Sequence, residues 1–263
     1  MGFRRSWTLG ACFALLLAAL LPVSADAGSL PIGKEHVDPD RLPLPFGAGL
    51  TIYSQSQEYR IADLSFDTPL LGPIDTGGIG IDNQLDEINL KLDAWIFPFL
   101  NVFGIIGDLD GTTKVGLSQL ELAVPLGDLT IHYDGEVYGG GITLAYGGER
   151  LWGSITGIFT ETNVSGEFES EVQAFILTPK FGLQIGRGAV WIGAMLQQAE
   201  EKHSGTITLP FLGAVPFAVD LEEKDEWNLL AGAAAPLSEH WTLELEGGAA
   251  GRDSASLALT YRF

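Results

Sequence analysis

Apolar and polar residues alternate with a period of two along most of this chain. From Ile88 to Ile96, the residues Ile88, Leu90, Leu92, Ala94 and Ile96 fall on one face, and Asn89, Lys91 and Asp93 on the other. Successive side chains of extended backbone point to opposite faces, so the pattern predicts a strand with one greasy and one polar side. The last seven residues repeat it, with Leu257, Leu259, Tyr261 and Phe263 opposed to Ala258, Thr260 and Arg262. Similar runs near residues 46–53, 101–109, 136–146, 151–162, 171–185, 189–198, 227–235 and 241–246 bring the expected count to about ten strands, with eight or twelve also compatible with the pattern. Pieces such as Gln119–Val124 and Leu129–Tyr133 are the candidates for extra strands or extensions.

The connections carry the second signal. Those at Phe97–Leu100, Gly147–Arg150, Gly186–Gly188 and Pro236–Glu239 are short, and those at 60–85, 110–133 and 200–226 are long. No segment outside the N-terminal region holds the ~18 consecutive apolar residues of a membrane helix. Strands of roughly 9–11 residues cross a bilayer when tilted, and a closed barrel leaves no backbone polar group unpaired in hydrocarbon. The expected fold is therefore all-β: a closed antiparallel up-and-down transmembrane β-barrel with tight periplasmic turns, longer extracellular loops and both termini periplasmic.

The ending Leu259, Tyr261, Phe263 resembles the C-terminal assembly signal of Gram-negative outer-membrane β-barrels. That resemblance implies recognition by the barrel assembly machinery and residence in the outer membrane, with outer-membrane lipid and lipopolysaccharide as partners. It is superfamily-wide and implies an architecture without naming an activity. The start of the chain agrees. Arg4 and Arg5, an apolar run from Leu9 to about Val23 and the small residues Ser24–Ala27 read as a secretory signal peptide, cleaved after Ala25 or Ala27. The organisation expected is a signal peptide over 1–27, an irregular periplasmic arm over 28–45 with several prolines, and the barrel over 46–263.

Composition narrows the chemistry. The formal net charge is -20, which disfavours a nucleic-acid partner. Cys12 is the only cysteine and lies in the signal peptide, so thiolate chemistry and disulfides drop out of the processed chain. His36, His132, His203 and His240 show no metal-ligand spacing, and no cofactor is expected. Acidic residues gather in the long connections, among them Asp63, Asp67, Asp82, Asp86 and Glu87 in the first and Glu200, Glu201, Glu222 and Glu223 in the last. Solvation explains them by default, and divalent cations bridging to lipopolysaccharide are the sharper reading. Lys91, Asp93, Glu244, Glu246 and Arg262 fall on inward parity and are expected to form a lumen charge network. Trp95, Trp152, Trp191 and Trp241 lie near the short turns, where an interfacial girdle would place them. Trp241 has outward parity, whereas Trp95 shares parity with Lys91 and Asp93.

The resulting functional expectation is a non-enzymatic outer-membrane barrel with acidic surface loops for binding or shielding. A barrel-rim enzyme (a protease or a lipid A modifying enzyme) and a narrow solute or ion channel are the alternatives.

Overall fold

The computed structural model describes residues 30–38, 42–68, 76, 79–116, 128–166, 169–209 and 213–263. The signal-peptide reading at 1–27 and the piece Gln119–Val124 lie outside them. Eleven strands follow in order: β1 Phe46–Phe66, β2 Ile81–Phe97, β3 Leu100–Val115, β4 Leu129–Gly147, β5 Leu151–Gly166, β6 Glu169–Ile185, β7 Gly188–Leu209, β8 Gly213–Glu223, β9 Trp227–Pro236, β10 Trp241–Ala249 and β11 Arg252–Arg262. Each pairs antiparallel with its neighbours, and β1 meets β11 from Gly47↔Arg262 to Gln57↔Arg252, so the sheet closes. The seam is tied at its foot by two backbone bonds between Phe46 and Phe263, at 3.1 and 3.0 Å.

Eleven elements make a ten-stranded barrel because β8 and β9 are two halves of one path. Both run against β7, β8 along Glu201–Leu209 and β9 along Ala189–Leu196. The path breaks at residues 224–226. Below the break, β9, β10 and β11 bridge β7 to β1; above it, β8 alone does so, pairing with β1 from Tyr59↔Glu223 to Phe66↔Phe217. The wall thus has ten strands at the base and eight at the top. The break is held by Asn228, only 1 % exposed, whose amide oxygen accepts the N–H groups of Gly251 and Arg252 at the tip of the β10–β11 hairpin. On the outside, the Lys224 ammonium donates to the Glu58 carboxylate, which holds the lysine above its ordinary pKa.

The strands run much further than alternation alone indicated. Most of the acidic residues assigned to loops stand in strands: Asp63 in β1, Asp82, Asp86 and Glu87 in β2, and Glu222 and Glu223 in β8. Leu129–Tyr133 is likewise the start of β4. The reason is an inversion of polarity along the barrel axis. In the lower part the outer face is apolar, as at Ile52 on β1, Leu92 on β2, Ile106 on β3, Ile142 on β4, Phe159 on β5 and Ile192 on β7, all exposed. Higher on the same faces stand Ser54, Asp86, Asp108, Glu136, Glu161 and Gln198. Above that line the inner face turns greasy instead, with Tyr59, Ile79, Ile81 and Leu221 forming a buried cluster joined by Ile61, Val115 and Val219. An alternating strand whose apolar side changes from outside to inside reads as a loop when only one face is followed.

The lower apolar belt encircles the barrel. On β5 and β6 it spans residues 151–159 and 175–185, lengths that cross a bilayer when tilted. Water cannot be the partner of so continuous a greasy ring. Its foot carries an aromatic cluster on the outside. Trp241 and Tyr261 lie 5.0 Å apart, Tyr261 and Phe263 6.0 Å, and Phe46 and Phe263 5.9 Å, ring centre to ring centre. Of the four tryptophans near short turns only Trp241 joins it. Trp95, Trp152 and Trp191 line the interior, so the expected girdle is corrected there. Their parity follows the inward side of strands whose other face already meets lipid.

Ile192→Arg places a cation near the middle of the belt. It is expected to destabilise the barrel by about 2–4 kcal/mol in lipid vesicles, whereas Glu161→Arg above the line is expected to change stability by under ~1 kcal/mol. Urea unfolding followed by band shift on unheated gels measures both, and equal effects would mean that the belt does not face lipid.

Candidate functional site in the barrel lumen

The barrel encloses a cavity of about 760 Å³. Its floor is built by inward side chains of the lower strands. Arg262 on β11 reaches Asp93 on β2, Nη2 to Oδ1 at 2.9 Å, with the Asp93 side chain wholly buried. Asn101 Nδ2 donates to the same oxygen at 2.7 Å. The guanidinium also stacks over the Trp95 ring at 6.0 Å and donates from Nη1 to the Leu44 carbonyl at 3.2 Å. Through that last bond, and through the Ile32 N–H donating to the Ile96 carbonyl at 2.8 Å, the segment before β1 is fastened to the barrel's foot.

A second ion pair stands across the floor. Lys180 Nζ on β6 and Glu246 Oε2 on β10 are 2.5 Å apart, and Trp191 Nε1 donates to the same oxygen at 2.5 Å. Lys180 also lies 5.2 Å from the Trp191 ring centre, and Trp152 meets Trp191 edge-on at 6.0 Å. Of the five charges expected to form one network, Asp93 and Arg262 come together, and Glu246 pairs with Lys180 instead. Lys91 sits 5.5 Å over the Phe103 ring, and Glu244 lines the cavity with no ion pair among the described residues. Sequence reading missed Lys180. The signal was present: Phe175, Leu177, Pro179 and Phe181 on the outer side of β6 leave residue 180 inside.

Register makes room for the rings. Trp152 lies directly across from Gly182 and Trp191 across from Gly232, so an added Cβ would sit 2.1 and 2.4 Å from the respective indoles. Phe103 covers Gly141 in the same manner, at 2.6 Å. Gly141 belongs to the run Gly139–Gly141, whose purpose is thus the close approach of a lumen ring. Gly47 faces Asp93, with an added Cβ 2.4 Å from its carboxylate.

Above the floor the wall carries Thr156, Thr160, Thr162 and Thr178, and above those the apolar side chains Ile81, Leu109, Val115, Ile131, Val219 and Leu221. Leu259, Tyr261 and Phe263 stand together on the outer, lower face of β11. His132 and His240 lie outside the lumen: His132 Nδ1 is 3.1 Å from Thr112 Oγ1, and His240 Nδ1 2.7 Å from the Arg262 carbonyl oxygen. Among the described residues, no cluster of three or more His, Cys, Asp or Glu side chains could hold a metal ion.

The described strands close into an antiparallel barrel, ten-stranded at its base. Its solved relatives in shape are distant. The translocator domain of the autotransporter NalP from Neisseria meningitidis is 11% identical with a TM-score of 0.44, over 97% of this chain and 98% of that one. The outer-membrane protease OmpT from Escherichia coli is 7% identical, TM-score 0.44, over 84% and 97%. The toluene transporter TbuX from Ralstonia pickettii is 9% identical, TM-score 0.33, over 84% and 90%. No family model and no curated protein matches the sequence. Likeness this remote assigns no activity, and the three proteins differ in what they do.

Arg262→Met leaves the buried Asp93 without its cation. Removing one member of a buried pair costs about 3–5 kcal/mol, and partial solvent access at Arg262 lowers the expectation here to roughly 2–3 kcal/mol. Adding Asp93→Asn should recover part of that loss in urea unfolding, and strictly additive effects would show that the two side chains are not coupled.

Proposed function

We propose that the protein is a non-enzymatic outer-membrane barrel whose lumen receives small, largely apolar molecules from the outer side. The observation that carries this reading is the inverted wall. Above the membrane belt the barrel continues with a charged outside and an apolar inside, and it encloses 760 Å³. Apolar walls with a few placed polar groups are the usual character of small-molecule sites, and the volume falls within their ordinary range. A wall that only raised the barrel above the membrane would need no greasy cavity.

The floor argues against the ion-channel alternative. Two ion pairs and the Trp95, Trp152 and Trp191 rings occupy the end nearest Phe46 and Phe263, where a water-filled pore would have to pass. Apart from the inward Glu87 and Glu223, the acidic residues then keep their simplest role on the outer wall above the belt, as a solvated face beside lipopolysaccharide with divalent cations as bridging ions. Leu259, Tyr261 and Phe263 are the surface offered to the assembly machinery.

The test uses the barrel folded in amphipol and a neutral fluorophore, N-phenyl-1-naphthylamine. Saturable binding of one dye per barrel is expected, weakened at least ~10-fold by Ile158→Asp with Ile176→Asp, a cross-strand pair of β5 and β6 in the cavity wall, and unchanged by the outward Gln198→Asp. Binding that ignores the lumen substitutions would sink the proposal. In planar bilayers the same preparation is expected to pass no steady ion current.

A further inference from the structure

One row of buried side chains in this lumen is not accounted for by the fold. Gln57 on β1 stands directly across from Asn83 on β2 and from Arg252 on β11, and all three point inward. They are 5 %, 5 % and 2 % exposed. Nε, Nη1 and Nη2 of Arg252, both amide atoms of Gln57 and Oδ1 of Asn83 have no hydrogen-bond partner among the described residues. Six unpaired polar atoms in adjacent positions form a single patch. Just above it lies the greasy cluster of Tyr59, Ile79, Ile81 and Leu221.

A buried guanidinium cannot shed its proton to escape the cost of burial, so it calls for a counter-charge. Among the described residues no carboxylate accepts a hydrogen bond from it; the inward Glu87 of β2 accepts from Asn89 Nδ2 at 2.8 Å. Glu223, paired with Tyr59 one step higher, accepts from Gln197 Nε2 and from the Ala199 N–H, each at 3.3 Å. Asn83 uses its own N–H group on Thr113 Oγ1 at 2.9 Å and on the Tyr133 hydroxyl at 2.6 Å, which orients its free oxygen. Arg252 and Gln57 together offer more donors than acceptors. A planar group with two acceptor oxygens and one negative charge matches the guanidinium fork.

The row also borders the cavity. Asn83 is part of the cavity wall, as are Gln55 and Tyr59, the inward neighbours of Gln57 on β1. Gln57 and Arg252 stand just behind that wall, so a ligand in the cavity would reach the guanidinium where the Gln57 side chain turns aside. We propose that Arg252, Gln57 and Asn83 hold the carboxylate of an otherwise apolar ligand, an assignment that rests on the apolar binding chamber proposed above. The ligand class is then an apolar monocarboxylate, its body against the upper wall and its head at the β1–β11 seam. The row spans the closing strand pair just where β11 gives way to β8, so an occupied site also links the two parts of the wall.

The experiment compares cis-parinarate with its methyl ester on the intact barrel in amphipol, read by energy transfer from the lumen tryptophans. The acid is expected to bind at least ~10-fold more tightly than the ester, because only the acid forms charge-assisted bonds with Arg252. Arg252→Met should remove that preference while keeping the affinity for the ester and the band shift on unheated gels. Should Arg252→Met fail to fold, Gln57→Leu, together with the acid–ester ratio of the unaltered protein, decides the matter. Equal binding of acid and ester to the unaltered protein overturns the carboxylate site and leaves the chamber standing. Displacement of the acid by acetate or inorganic phosphate as readily as by unlabelled long-chain acid overturns it too, assigning the row to a free small anion. Saturable binding of neither probe overturns the chamber and the head-group site together.

Discussion

Hydrocarbon offers no partner to a peptide N–H or C=O, so a sheet that crosses it must meet itself. Here the meeting is between β1 and β11, in an unbroken register of eleven paired residues from Gly47↔Arg262 to Gln57↔Arg252. The short turns, the side of each strand that faces lipid and the position of the seam all follow from that closure. The same requirement relaxes above the membrane, where water can serve an edge. That is the level at which the wall changes from ten strands to eight, and at which Asn228 rather than a ladder of backbone bonds secures the hairpin tip.

The lipid-facing half was legible because its pattern is one-sided. Ile88–Ile96 and the last strand show apolar residues at every second position, and the short turns between strands bear the expected glycine, proline and charged residues. The upper half was not legible for a physical reason. There the outer face meets water, so Asp82, Gln84 and Asp86 on β2 look like loop chemistry, while the inward Ile81, Asn83 and Leu85 are too mixed to mark a strand by themselves. Strand extension, the β8 path and the cavity therefore appear only in three dimensions. The charge pairs divide in the same manner. Parity alone puts Asp93 and Arg262 inside, but which charges meet depends on the order of strands around the ring, and Lys180 finds Glu246 because only β7 and β9 stand between β6 and β10.

Aromatic residues set opposite glycines decide what the lumen can hold. In a ten-stranded ring the interior is little wider than side chains can fill. Indoles laid flat over Gly182 and Gly232 take up the space that two ordinary side chains would need, and they do so at the floor. The upper wall has Val, Ile and Leu at the corresponding inward positions, and these leave a cavity. Filling and polarity are thus graded together along the axis: hollow and greasy above, threonine-lined in the middle, charged and closed below.

That gradient explains why a cation belongs in the upper wall at all. An entirely apolar chamber would hold any greasy solute in any orientation, with little to distinguish one from another. A single buried guanidinium at the seam changes the outcome, because a ligand lacking the matching anion leaves it unpaired, while one bearing it does not. Selectivity then comes from the cost of the mismatch more than from the strength of the match. The barrel carries that cost at β11, the strand whose pairing with β1 closes the ring.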